Sequence, residues 1–332
     1  MQYEQSPFRI DYSLPGLLRM NLNENLVLPA AFVRGAMKEC EGNIDSRFYP
    51  SELDDGEMKE LRSLIADYCG SREWMVELGC GSDQLIDLLC RMKLGNSGDR
   101  LVTVKPTFSM YPLRAKRCRA KVIEVPLGFS RMYEDPFPLE TGRVIEACRS
   151  RNAKLLVLAS PNNPTAVQYE IEQLREILDC IPPGVFVLID EAYVEYARYS
   201  VKSLLPRYPS LIMLRTFSKA FGLASHRIGY IVSSNRDLLE EFEDGFQLPF
   251  PLTAMSAKLA GKLLKQKRVI LSYAEKTKQL RGDLINSLQD LGGAEFKVIT
   301  RSDGNFVLIE SPNSERIAKT LLKRYRIAVK YI

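Results

Sequence analysis

Short apolar runs alternate with stretches of helical periodicity through the middle of the chain. The runs at 101–104, 121–125, 154–159, 185–189 and 211–214 are predicted strands, and a further apolar run follows at 228–232. Apolar residues at helical spacing predict helices over 57–68, 84–92 and 170–180. Strands that are apolar at nearly every position lie in sheets covered on both faces. The pattern therefore predicts an α/β fold with a mostly parallel sheet sandwiched by helices.

The pattern changes after Phe250-Pro251. Residues 253–291 are rich in Lys, Leu and Ala and predict one or two long helices that end at Gly292-Gly293. Shorter predicted strands at 295–299, 305–310 and 327–331 surround a helix over 314–325, as in a smaller α+β domain. A chain of 332 residues is long enough for two domains. We predict an N-terminal arm and part of the small domain over 1–45, a large domain over 46–250 and a small C-terminal domain over 251–332.

Composition excludes several classes of function. The net charge of +5 is spread along the chain without a dense basic block, so nucleic acid is not an implied partner. The 7 cysteines form no C-x-x-C pair and the chain has 1 histidine, so no zinc site of the usual spacing is available and no metal is expected. Scattered cysteines are typical of a reduced, cytosolic protein, and no segment has the length of a signal peptide core or a membrane span. We therefore expect a cytoplasmic protein with no membrane partner.

Polar side chains follow the ends of the predicted strands. Asn163 comes after the run 154–159, Asp190 follows the run 185–189, and Lys219 comes after the run 211–214. The carboxyl ends of parallel strands share one edge of the sheet, where such folds bind ligands. A partly desolvated lysine near other cations loses its proton more readily and can attack a carbonyl carbon. Taken singly, each residue also has a structural interpretation, as an exposed loop lysine, a capping aspartate or a turn asparagine.

A second feature favours an anionic ligand. Gly81, Ser82 and Asp83 stand immediately before the predicted helix 84–92, with Ser and Asp at its cap. The first N–H groups of a helix have no acceptor within it and bind phosphate groups. Ser218 and Arg227, on both sides of Lys219, could add donors to the same phosphate. The glycine spacing is shorter than in known phosphate-binding fingerprints, so the helix start alone also fits any capped helix.

One ligand, pyridoxal phosphate, would use all of these groups. Proteins bind this cofactor with a lysine that forms an imine and with a residue beside the pyridinium nitrogen. Lys219 and Asp190 are the candidates for these two roles. Phe108 could stack on the ring, or else be a core aromatic. Asn163 and Tyr193 could hydrogen-bond the phenolic oxygen of the ring.

The motifs that contain these residues resemble a known family. SPNNPT at 160–165, DEAY at 190–193 and RTFSKAFGLASHRIGY at 215–230 are similar to the aspartate aminotransferase superfamily of fold type I pyridoxal-phosphate enzymes. Within it, NLNEN at 21–25, YP at 49–50, GCGSDQLIDLL at 79–89 and KPTFSMY at 105–111 resemble the histidinol-phosphate aminotransferases. The resemblance implies transfer of an amino group from L-histidinol phosphate to 2-oxoglutarate in histidine biosynthesis, giving imidazole-acetol phosphate and L-glutamate.

The resemblance also implies a role for each candidate residue. Lys219 would be the Schiff-base lysine, and Asp190 and Tyr193 would complete the catalytic set. Thr216 or Ser218 would join Arg227 and the helix start 81–83 at the phosphate. Tyr49 would reach the phosphate of a neighbouring subunit, which implies a homodimer. The substrate would be bound by three further residues, which are Asn23, Asn163 and Lys330.

The sequence departs from the family pattern at its C-terminal end. The family has an arginine in a late motif such as L-R-I-T-V-G, which binds the substrate carboxylate, whereas this sequence stops at Ile332 and has Lys330 where another arginine is common. Three explanations are open: a lost C-terminal piece, a substitute such as Arg19 or Arg301, or a different substrate. The alternative functions are an aromatic-amino-acid aminotransferase, a threonine-phosphate decarboxylase, or a non-catalytic paralogue that binds the cofactor.

Overall fold

A computed structural model describes residues 10–42, 44–51, 56–128, 136–291 and 295–332. Its strands are β1 (Leu18–Arg19), β2 (Val76–Gly79), β3 (Arg100–Lys105), β4 (Lys121–Pro126), β5 (Ala153–Ala159), β6 (Phe186–Asp190), β7 (Leu211–Thr216), β8 (Gly229–Val232), β9 (Lys297–Val298), β10 (Ile309–Glu310) and β11 (Ile327–Ala328). Its α-helices are α1 (Ala30–Glu41), α2 (Glu57–Cys69), α3 (Gly81–Lys93), α4 (Met110–Arg117), α5 (Thr141–Cys148), α6 (Ile171–Cys180), α7 (Arg236–Gly245), α8 (Ala254–Lys265), α9 (Lys267–Leu291) and α10 (Ser314–Tyr325).

The central sheet has seven strands in the order β2-β8-β7-β6-β5-β3-β4. The strands from β3 to β7 are parallel to their neighbours, which confirms the predicted mostly parallel sheet. β8 differs, because it is antiparallel to both β7 and β2. The segment that joins Thr216 to Gly229 holds the 3₁₀ turn Ala224–His226 instead of the crossover helix that parallel pairing requires. The segment that contains Lys219 is therefore a connection without an α-helix, which starts at the carboxyl end of β7.

The alternation of side chains along each strand divides the core into two layers. Leu158 and Ile189 belong to the larger layer, which α2, α5, α6 and α8 cover. Val157 and Leu188 point to the opposite face, which α3, α4 and α7 cover. Burial on both faces is the reason that these strands are apolar at almost every position.

The C-terminal part of the chain is smaller than the central sheet and is joined to the N-terminal arm. The predicted helical stretch 253–291 is two helices, α8 and α9, while the predicted end at Gly292-Gly293 lies outside the described residues. The predicted strands 295–299 and 305–310 shorten to the antiparallel pair β9 and β10, and strand 327–331 shortens to β11. β1 of the arm pairs in parallel with β11, with Arg19 opposite Ala328. The three domain boundaries stay a prediction.

None of the helices in the described part of the chain is both long and apolar enough to cross a membrane. Over the same residues, no group of three or more His, Cys, Asp or Glu side chains could hold a metal ion.

Candidate active site

Lys219 lies in the connection after β7 and is half-buried. Its Nζ donates a hydrogen bond of 2.9 Å to the carbonyl oxygen of Leu22 in the N-terminal arm. Burial lowers the pKa of Lys219 to about 8. Nearby carboxylates, of which Glu24 acts most strongly, oppose this lowering, whereas the positive charge of Lys330 contributes to it. A lysine with this pKa carries a usable fraction of neutral amine near pH 7. Lys219 is therefore not an ordinary exposed loop lysine.

Asp190 ends β6, the strand beside β7, where it is paired in register with Leu214. One carboxylate oxygen, Oδ2, accepts a hydrogen bond of 2.8 Å from the Tyr111 hydroxyl, and Oδ1 accepts one of 3.0 Å from the N–H of Ala192. Burial raises the pKa of Asp190 to about 6, although both hydrogen bonds act in the opposite direction. Asp190 forms no ion pair with any residue that the structure describes. A buried carboxylate without a basic partner favours a cationic ligand.

Tyr111 is a site residue that the sequence alone did not single out. It is 1% exposed, on the first turn of α4, and its hydroxyl orients Asp190. Burial and the neighbouring charge of Asp190 raise the pKa of Tyr111 well above its usual value, so the phenol stays protonated as a donor. The motif KPTFSMY contains this tyrosine, but its position on the apolar face of a helix is typical of a core aromatic.

The predicted phosphate-binding helix is α3, and it begins earlier than the sequence indicated. Cys80 is the N-cap, so Ser82 and Asp83 belong to the first turn and are not caps. Gly81 opens the helix with a φ of +77°, a conformation that side chains rarely adopt. The backbone N–H groups of Gly81, Ser82 and Asp83 are those of a first helical turn, which have no acceptor inside the helix. A helix start of this kind is suited to bind an anion.

Arg227 lies against this helix start. Its Nη2 is 2.9 Å from Oδ2 of Asp83, and its Nη1 donates to the carbonyl of Ala224. The guanidinium is so close to Gly81 that a Cβ there would be 2.5 Å from Nη2. The Asp83 carboxylate is therefore occupied in holding Arg227, and a carboxylate would repel a phosphate. The assignment of Asp83 to the phosphate stays a prediction, and this geometry favours its backbone N–H over its side chain for that role.

The structure separates the two hydroxyl candidates for the phosphate. Thr216 Oγ1 accepts from the N–H of Ser218 at 3.1 Å and lies 3.1 Å from the carbonyl oxygen of Ile228, so it is committed to the backbone. Ser218 Oγ lies 3.0 Å from Thr216 Oγ1, which can donate to it. Thr216 has one hydroxyl proton, so it donates either to the Ile228 carbonyl or to Ser218. Thr216 Oγ1 has three polar neighbours, whereas Ser218 Oγ has this one and keeps more capacity for a ligand. Of these two residues the geometry favours Ser218.

Tyr193 lies beside Lys219, and Phe108 lies beside Tyr111. The Tyr193 ring centroid lies 5.6 Å from Lys219 Nζ, and the Tyr193 hydroxyl accepts a hydrogen bond of 3.0 Å from Asn23 Nδ2. Phe306 supports this ring with an edge contact at 5.2 Å. Phe108 packs edge-on against Tyr111, with 5.6 Å between the ring centroids. Phe108 is partly buried, which is compatible with one ring face being left for a ligand.

Asn163 is half-buried in the loop after β5. Its neighbour Asn162 fixes that loop, because the Asn162 amide donates to the carbonyl of Pro106 and accepts from the Thr107 hydroxyl, each at 3.0 Å. The loop of Asn163 and the loop of Phe108 are therefore joined. Asn162 is a structural residue that the motif SPNNPT did not distinguish from Asn163.

Two predicted residues are placed differently from the rest. Tyr49 is 80% exposed and stacks on Phe250 with 4.7 Å between ring centroids, so any contact with a phosphate would require a second chain. Lys330 lies close enough to Lys219 to lower the pKa of that lysine. The structure thus brings Lys330 to the site and leaves Tyr49 on the surface.

The two substitute arginines named from the sequence have different partners. Arg301 Nη2 donates to the Gln168 carbonyl at 2.9 Å and pairs with Glu170 at 3.0 Å, and its Nε is 3.5 Å from Asp303. Arg19 pairs with Glu24, the carboxylate that acts most strongly on Lys219. Arg19 is therefore the arginine associated with the site.

The residues present fit pyridoxal phosphate. The start of α3 with Arg227 and Ser218 suits its phosphate, and the buried Asp190 carboxylate, which has no ion-pair partner in the described chain, suits a protonated ring nitrogen. Lys219, with its lowered pKa, suits the aldehyde carbon. These groups come from adjacent strand ends of one sheet edge, where α/β folds bind ligands.

Comparison with known proteins gives the same result. The family model described as "Aminotransferase class I and II" matches residues 16–332. The chain is 34% identical over 297 residues to histidinol-phosphate aminotransferase of Synechococcus sp. (strain JA-2-3B'a(2-13)), covering 88% of this chain and 79% of that protein. It is 30% identical over 312 residues to the protein of the same name from Clostridium novyi (strain NT), covering 92% and 81%.

A solved structure has the same fold. The crystal structure of histidinol-phosphate aminotransferase from Sinorhizobium meliloti in complex with pyridoxal-5'-phosphate matches with a TM-score of 0.81 and 23% identity, over 94% of this chain and 82% of that chain. At this identity the likeness concerns the fold, and it confirms the predicted fold type I architecture. By the match to the family model over nearly its whole length, the chain belongs to the family of class I and II aminotransferases.

Proposed function

We propose that this chain is a pyridoxal-phosphate-dependent aminotransferase that converts L-histidinol phosphate and 2-oxoglutarate to imidazole-acetol phosphate and L-glutamate. Membership of the family confirms the predicted cofactor and the predicted class of reaction. The names of the relatives support the choice of substrate. The observation that carries the proposal is the position of Lys219 and Asp190 on neighbouring strand ends, beside a helix start that can bind a phosphate.

Pyridoxal phosphate supplies an electron-accepting ring that stabilises negative charge at the substrate Cα. In our proposal Asp190 keeps a proton on the ring nitrogen, and Tyr111 holds the Asp190 carboxylate in place. The ionised form of Asp190 gains a cationic partner in this way. The burial that raises the pKa of Asp190 in the protein alone then strengthens that interaction, because a buried charge pair is weakly screened.

Lys219 has two tasks, to bind the cofactor and to move a proton. With cofactor and substrate bound, Lys219 Nζ would remove the proton from the substrate Cα as a general base. With a pKa of about 8, roughly one lysine in ten is neutral at pH 7, compared with about one in three thousand at the ordinary lysine value. The burial of Lys219 therefore raises the concentration of the active base.

The other predicted residues position the cofactor and the substrate. Asn163 and Tyr193 would donate hydrogen bonds to the phenolic oxygen of the ring, and Phe108 would cover one ring face. Asn23 would hold Tyr193 in orientation, since its amide donates to the Tyr193 hydroxyl. The hydroxyl can then donate its own proton to the cofactor.

A homodimer would complete the site. Large apolar side chains that are exposed in the single chain include Phe48, Tyr49, Leu248 and Phe250, of which Tyr49 and Phe250 stack on each other. Exposed apolar patches of this kind favour protein association. We propose that a second copy covers this patch and that Tyr49 reaches the phosphate in its partner. Light scattering should give the mass of two chains, and Phe250→Lys should give single chains with a lower cofactor affinity; a wild-type mass of one chain would contradict the proposal.

The free cysteines of the described chain support a reducing compartment, and we propose that the enzyme works in the cytoplasm.

The function is tested with purified protein reconstituted with pyridoxal phosphate. A visible absorbance band should appear in the wild type and in the exposed-lysine control Lys265→Ala, and it should be absent in Lys219→Ala. Addition of L-histidinol phosphate or L-glutamate should remove the band and release the matching keto product. Release of CO₂ from O-phosphothreonine would indicate the decarboxylase instead. No loss of the band with any of these amines would identify a non-catalytic paralogue.

A further inference from the structure

Four buried polar atoms, three in the N-terminal arm and one on Asn305, have no hydrogen-bond partner among the residues that the structure describes. They are Arg19 Nε, Asn21 Oδ1, Glu24 Oε2 and Asn305 Oδ1. Nearly all buried polar atoms in proteins are hydrogen-bonded, and a cluster of exceptions indicates a missing ligand or water.

These atoms belong to segments that contact one another and the active site. The arm residue Asn23 bonds to Tyr193, and its carbonyl accepts a hydrogen bond of 3.1 Å from Asn305 Nδ2. The next arm residue towards the N-terminus, Leu22, accepts the hydrogen bond from Lys219. The unpartnered atoms therefore belong to segments that contact Lys219 and Tyr193.

Arg19 is held in this cluster from two sides. Its Nη2 is 2.6 Å from Glu24 Oε1, and its guanidinium carbon is 4.8 Å from the centroid of the Tyr12 ring. Tyr12 is fixed in turn by a hydrogen bond of 2.8 Å from Asn21 Nδ2 to its hydroxyl. The contact with Glu24 uses one edge of the guanidinium, and the buried Nε–H is left without an acceptor. Arginine in such a fixed orientation is suited to bind an oxyanion.

The charges around Arg19 also favour an anion. Arg19 and Lys330 carry two positive charges and Glu24 carries one negative charge, so these three residues leave a net charge of one positive. Arg19 is paired in register with Ala328 of β11, and Lys330 follows two residues later. Glu24 is two residues from Leu22, whose carbonyl accepts the hydrogen bond from Lys219, so this charged segment contacts the reacting lysine. The charges of Glu24 and Lys330 both act on the pKa of Lys219.

We propose that Arg19, positioned by Glu24 and Tyr12, binds the oxyanion that lies beside the reacting carbon of the substrate, with Lys330 adding positive charge. This inference rests on the proposed function and assigns the oxyanion of the substrate to Arg19. Glutamate has a carboxylate on its amine-bearing carbon, and L-histidinol phosphate has a phosphate one methylene away. One cationic group can therefore serve both substrates. The other candidate, Arg301, is occupied by Glu170 and Asp303.

The test compares Arg19→Lys and Arg19→Ala with a matched control. Arg207 also pairs with a carboxylate, that of Asp179, and also lies over a tyrosine ring, that of Tyr208, at 5.2 Å. Arg207→Ala and Arg207→Lys therefore remove the same kinds of contact elsewhere in the chain. The probes are succinate and inorganic phosphate, which do not react, and their binding to each holoenzyme is measured by calorimetry.

We expect both Arg19 variants to bind one or both probes about tenfold or more weakly, because the unpartnered donor is lost. The weakened probe identifies the oxyanion as carboxylate, phosphate or both. KM for the corresponding substrate should rise while kcat changes little. The Arg207 variants should bind both probes as the wild type does. Equal binding of both probes by wild type and Arg19→Ala would overturn the inference.

Two controls keep this result separate from the proposed function. The absorbance band that depends on Lys219 should be the same in Arg19→Ala and in the wild type, because Arg19 contacts none of the residues assigned to the cofactor phosphate. If the band forms and probe binding is unchanged, the inference fails and the proposed function stands. If no band forms in the wild type, the proposed function fails, and calorimetry still reports whether Arg19 binds the probes. Thermal unfolding shows whether Arg19→Lys, the milder variant, keeps the fold.

Discussion

Replacement of Gly81 by alanine tests whether the start of α3 and Arg227 together hold the cofactor phosphate. The new Cβ would lie 2.5 Å from Arg227 Nη2 and 2.9 Å from its Cζ, so the guanidinium would have to move. The residue would also keep a φ of +77°, which costs a side-chain-bearing residue about 1–2 kcal/mol. The substitution therefore has two effects, a strained backbone and a displaced arginine.

The two effects have different magnitudes and different readouts. The strain lowers the free energy of unfolding by about 1–2 kcal/mol. Displacement of Arg227 removes a charge-assisted hydrogen bond to the phosphate, which is worth about 1.5–3 kcal/mol, or roughly a tenfold to hundredfold loss of cofactor affinity. Gly184→Ala is the matched control, since Gly184 has a φ of +84° and a Cβ there would meet nothing within 4 Å. It should show the loss of stability without the loss of affinity.

The assay titrates each cofactor-free protein with pyridoxal phosphate and follows the visible absorbance, while chemical denaturation gives the free energy of unfolding. Gly81→Ala should bind more weakly than Gly184→Ala even when the two are equally destabilised. If Gly81→Ala and the wild type bind pyridoxal phosphate with the same affinity, the assignment of the phosphate to α3 and Arg227 is wrong.

Three further predictions concern Asp190, Tyr111 and Ser218. In the cofactor-free protein the pKa of Asp190 is about 6, which is above its value near 4 in the unfolded chain. Between pH 4 and pH 6 the folded state therefore binds more protons than the unfolded state, so the free energy of unfolding should fall as the pH rises through this range. Asp190→Asn should abolish this part of the pH dependence, and its free energy of unfolding at pH 7 should be higher by up to about 3 kcal/mol. A denaturation profile equal to that of the wild type at each pH would argue against a buried charge at Asp190. Tyr111→Phe removes the hydrogen bond that lowers the pKa of Asp190. We therefore expect about a tenfold fall in kcat and a shift of the acidic limb of the pH–rate profile to higher pH. Wild-type kinetics in this variant would show that Asp190 needs no such donor. Ser218→Ala should weaken cofactor binding about fivefold to tenfold, while Thr216→Val, which removes a hydroxyl that contacts the backbone, should weaken it less. The reverse order would assign the phosphate to Thr216.

The sequence was sufficient to predict the sheet and the main chemical groups. Runs of apolar residues and their helical spacing are local properties, and they predicted the strands from β3 to β7 and the polar residues at their ends. Lys219 and Asp190 were found because each follows a buried strand directly. Tyr111 was not found, since a tyrosine on the apolar face of a helix is normally a core residue. The choice between Thr216 and Ser218 could not be made, because it depends on the position of the Ile228 carbonyl.

The sequence by itself determined the layered α/β fold, the order of the strand-end motifs and the chemistry that these motifs can perform. The tertiary structure alone decided how distant segments meet. The Leu22 carbonyl accepts from Lys219 across 197 residues of chain, and Asn23 reaches Tyr193 across 170. The same folding brings Arg19 to the site while Arg301 is bound to Glu170. Arg19 itself lies in β1, which pairs with β11, and local periodicity carries no information about pairing between residues so far apart in the chain.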